Sequence, residues 1–189
     1  MAAKAEEART EEVGTGPEGR PRYALVFATA RWCEPAVPMR VIFNEVVRDL
    51  ERRVVEARRR VALPVGEDSP ASEASPPAGS DSLLTSAFSR IAGVRGVVLD
   101  VDEVDAVLAS RADDAASGRP PDPAFELDPL ISPAFAETID FVPMIILIRE
   151  GNRPTEGEEL ARFAGQLPKL RIRDRILEAL GDDLLPPAA

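Results

Sequence analysis

The sequence predicts an α/β domain, and three observations point to it. Apolar runs at 23–29, 95–102 and 142–148 are suited to buried strands. A long amphipathic stretch with a four-residue apolar period lies between the first two runs. A second such stretch closes the chain at 168–180, giving the order β-α-β-α-β-β-α without any visible repeat.

Residues 1–22 are rich in Ala, Glu, Gly and Arg and carry almost nothing to bury, so they are expected to be a disordered acidic tail. Tyr23 to Thr29 is apolar without polar alternation, which suits a central strand covered on both faces. From Pro35 the apolar residues Ile42, Val46, Leu50 and Val54 recur every four positions, with Val47 and Val55 widening the stripe. Charged residues fill the other side, so a helix ending near Arg60 is expected. Pro35 falls in its first turn, where a missing N–H is harmless. Arg58, Arg59 and Arg60 then complement the negative end of the helix.

Pro64 to Ser80 has the Pro, Ser, Gly and acidic composition of a flexible insertion. A short helix is expected over 82–91 and a second buried strand over 95–102. A weak helix over 104–116 is broken by Gly118 to Pro123, and a short helical piece surrounds 132–138. Val142 to Ile148 is the strongest strand signal in the chain. A turn at Glu150-Gly151-Asn152 precedes an edge strand over 160–164. The terminal helix runs from Pro168 to Leu180 with Gly181 as its cap, and a flexible C-terminus over 182–189 follows. The whole is one domain over 23–181 with insertions near 62–90 and 103–131.

Composition narrows the chemistry. With 189 residues and 44% hydrophobic content the chain can hold one domain with a real core. A formal net charge of -10 argues against a nucleic-acid partner. The absence of histidine excludes Ser-His and Cys-His pairs and histidine metal ligands. A single cysteine excludes an intrachain disulfide and a thiolate zinc site. The run Asp100 to Asp105 lacks the glycine an EF-hand loop needs, and its twelfth place is Arg111, so solvated carboxylates are expected instead of calcium ligands. No apolar stretch is long enough to span a membrane, and the first residues resemble neither a signal nor a transit peptide, so a cytoplasmic location is expected.

Three separated segments carry a resemblance. Trp32-Cys33-Glu34-Pro35 follows the first strand, Phe141-Val142-Pro143 precedes the third, and Glu150-Gly151 with Phe163-Ala164-Gly165 frames the last hairpin. Together they resemble the thioredoxin family over residues 23–180. The resemblance implies a thioredoxin fold: a central mixed sheet of about four strands with helices on both faces, lacking the family's first strand and helix. It implies a cis-proline at Pro143, with Val142 offering its backbone to an extended peptide. It also implies a redox turn in which Cys33 is the candidate nucleophile and Trp32, Glu34 and Pro35 line the binding site.

The departures bear on function. Ala36 stands where the second cysteine of the pair belongs, so the dithiol reductase cycle is closed to one chain acting alone. Phe27 stands where the family carries a buried aspartate. A cysteine at a helix start faces unpaired N–H groups that favour the ionised thiol, with Arg31 adding to this and Glu34 opposing it. Two functions stay open. One is a binding or adaptor protein that holds a polypeptide partner without turnover, needing no cofactor. The other is a monothiol thiol-disulfide oxidoreductase in which glutathione or a partner thiol resolves a disulfide on Cys33.

Overall fold

The computed structural model describes residues 19–62, 80–118, 127–153 and 155–184. Residues 1–18 of the tail expected over 1–22, nearly all of the Pro/Ser insertion, most of the Pro-rich break from Gly118 and residues 185–189 lie outside these, and Arg22, the last residue of that expected tail, already belongs to the first strand.

Four strands form one mixed sheet in the order β2-β1-β3-β4: β1 Arg22–Thr29, β2 Gly93–Asp100, β3 Met144–Glu150 and β4 Gly157–Ala164. β1 pairs parallel with β2 and antiparallel with β3, which pairs antiparallel with β4. Among the described residues there are five helices: α1 Ala36–Ala62, α2 Ser80–Ser89, α3 Val101–Ser117, α4 Pro133–Ala136 and α5 Lys169–Leu184.

Strand alternation sends β1 side chains to two cores. Tyr23, Leu25 and Phe27 pack with α1 and α5, while Ala24, Val26 and Ala28 pack with Val104 of α3 and with Leu130 and Ile131. Helices therefore cover both faces, and the uninterrupted apolar run of β1 follows from its central place. The four-residue period of α1 buries Met39, Phe43, Val46, Val47, Leu50 and Val54. Phe43 stacks on Phe27, with ring centroids 5.3 Å apart. Gly96 lets α1 approach β2, because a Cβ there would stand 3.1 Å from Val47 and 3.3 Å from Phe43.

Several boundaries differ from expectation, each for a local reason. β2 stops at Asp100 rather than 102 because the Asp100 side chain accepts the Asp102 N–H at 3.0 Å and caps α3. β3 begins at Met144, leaving Val142 and Pro143 outside, since proline offers no N–H to the ladder. Gly181 does not end α5, which continues through Leu184, so residues 182–184 are helical rather than a flexible tail. The added turn is pinned from the sheet: Asp183 accepts Tyr23 Oη at 2.6 Å and Arg149 Nη1 at 2.6 Å. Burial first, then this bond to Asp183, drives the Tyr23 hydroxyl well above its ordinary range. Arg58 does more than complement the end of α1, since it also donates to the Ile91 carbonyl at 2.5 and 3.2 Å. Among the described residues no helix is long and apolar enough to cross a membrane.

Candidate functional site

β1 ends and β3 begins at the same end of the sheet, where Ala28 pairs with Met144. That register brings the turn after β1 and the loop before β3 together. The β4–α5 connection ties them: Gly165, at φ +83°, donates its N–H to the Pro143 carbonyl at 2.8 Å. Its neighbour Gln166 donates from Nε2 to the Pro35 carbonyl at 3.4 Å. The predicted site residues are thus one assembly.

Within the turn, Cys33 N–H donates to Ala30 at 3.1 Å and Ala36 N–H to the Cys33 carbonyl at 3.0 Å. These bonds fold the chain over itself and point Cys33 inward. Cys33 is 6% exposed and belongs to the α1-side core with Ala30 and Ala36. Trp32 is thrown outward, 70% exposed, with Glu34 and Pro35 exposed beside it. No polar or charged residue is buried among the described residues, so no buried acid or base accompanies the thiol. Phe27 fills the expected carboxylate position with a fully buried ring.

In the second loop the Val142–Pro143 peptide bond is cis. Pro143 is buried, Val142 half-buried and Phe141 54% exposed. The N–H and C=O of Val142 join none of the hydrogen bonds made by the described residues. They lie beyond the end of the β1–β3 ladder and are available to an added strand.

The sequence misses the surroundings of Arg31. Its guanidinium pairs with the end of β2 and the start of α3, 3.7 Å from Asp100 and 3.1 Å from Glu103. Its backbone N–H donates to Asp102 at 2.9 Å. The acidic run thus braces the Cys33 turn through Asp100, Asp102 and Glu103, while Glu103 and Asp105 stay exposed to solvent as expected. The alternation of acids at a strand end was the available signal; its partner lies about seventy residues earlier, which spacing alone does not reveal. No group of residues suited to a metal ion occurs among the described residues.

No family model, curated protein or solved structure matches the chain.

Proposed function

We propose that this chain is a thioredoxin-like binding protein that holds an extended polypeptide at Val142 and performs no redox turnover. One observation carries the proposal: the backbone N–H and C=O of Val142 are unengaged just beyond the end of the β1–β3 ladder, while Cys33 is buried without an acid or base. An extended segment laid across this end of the sheet would bond main chain to main chain at Val142, with neighbouring side chains supplying selectivity. Phe141, the residue before Val142, and Trp32, in the Cys33 turn, offer exposed aromatic surface. Ala36 leaves no resolving thiol, so a mixed disulfide on Cys33 has no exit within one chain.

Trp32, the single tryptophan, supplies the readout. Titration with an extended peptide, followed by Trp32 emission, is expected to show saturable binding that Cys33→Ser changes less than about twofold. Val142→Phe is expected to weaken it by about tenfold or more, about 1.4 kcal/mol. Loss of binding on Cys33→Ser with Val142→Phe unaffected would overturn the proposal in favour of the monothiol enzyme.

A further inference from the structure

We propose that the polypeptide taken at this site is cationic: an extended segment in which Lys or Arg alternates with apolar residues. This rests on the docking function above and adds the chemical class of the partner. The loops at this end of the sheet carry a surplus of carboxylates. Glu34 and Glu137 are exposed and, among the described residues, neither meets a cation. Asp140 is exposed near Arg162, but Arg162 is already committed to Glu159 and to the Thr138 carbonyl. Arg31, the one cation in the turn, is neutralised by Asp100 and Glu103. Arg40, four residues into α1, is exposed and offsets at most one of these carboxylates. The start of α1 adds roughly half a positive charge, less than the free carboxylates supply.

Trp32 fits the same partner. It is exposed two residues before the exposed Glu34, so a lysine stem laid along the ring would have a carboxylate within the same turn for its ammonium. Alternation in an extended segment then points successive side chains toward Phe141 or away to the acidic rim. The whole-molecule charge of -10 favours approach of a cationic chain before contact is made.

The test uses three synthetic peptides of one length and one set of apolar residues, with Lys, Gln or Glu at the alternate positions. Trp32 emission reports binding to the full chain. At about 0.15 M salt the Lys peptide is expected to bind about tenfold tighter than the Gln peptide, and the Glu peptide more weakly still. At about 1 M salt the difference should shrink to less than twofold. Glu34→Gln and Glu137→Gln together should lower affinity for the Lys peptide several-fold and leave the Gln peptide unchanged. Equal binding of the Lys and Gln peptides overturns the cationic preference while the docking function stands. Binding by none of the three overturns both.

Discussion

At the scale of single residues, polar groups hold the edges of the fold while the interior is apolar. Arg95 spans Glu150 and Asp128, and Asp128 also accepts the Leu130 N–H at 3.0 Å. Burial alone would raise the Asp128 carboxyl; the bonds from Arg95 and Leu130, with the Arg95 charge, hold it below the usual range. A carboxyl depressed by folding contributes stability fully above its unfolded value of about 3.9, and loses it as pH falls through the folded value. Asp128→Asn is expected to cost about 1 kcal/mol at neutral pH, a modest figure because Arg95 is 43% exposed and screened by solvent. The variant's stability should also fall less steeply below about pH 4, as urea unfolding across pH would show. Parallel profiles for the two proteins would contradict this role. Sequence spacing could not expose the Arg95–Asp128 pair, since its partners are brought together only by the crossover after β2. The position of Cys33 at a strand-to-helix turn was legible, whereas its inward orientation depends on bonds to Ala30 and Ala36 that composition does not encode.

At the scale of elements, strands and helices with strong periods were the most legible. The four-residue apolar period located α1, and the unbroken apolar runs located β1 and β3, because burial on two faces leaves no room for polar alternation. Ends were less legible, because they depend on distant partners. Asp183 extends α5 past Gly181 by accepting bonds from Tyr23 and Arg149, and the Asp100 cap turns β2 into α3 two residues early. The contact between α1 and β2 depends on Gly96, where even a methyl group would meet Val47 at 3.1 Å. Gly96→Val is expected to destabilise the domain by about 1–3 kcal/mol through overpacking. A Gly96→Val chain that unfolds at the unchanged denaturant midpoint would show that α1 can withdraw without penalty.

At the scale of the whole molecule, the sheet order β2-β1-β3-β4 sets the Cys33 turn beside the Val142–Pro143 loop, and residues 165–166 bond to both. The apolar runs were enough to expect strands covered on both faces, while the mixed sheet was an expectation from the resemblance. The sequence did not reveal how the charges distribute around that end, because the carboxylates that pair with Arg31 lie about seventy residues later in the chain. The central proposal is that a thioredoxin-like frame serves here for binding without thiol chemistry. Its most direct test is mass spectrometry of the native chain incubated with glutathione disulfide. The expected result is an unmodified native protein, with a single glutathione adduct on Cys33 only after denaturation. Rapid, stoichiometric modification of folded Cys33 that a second thiol reverses would contradict it.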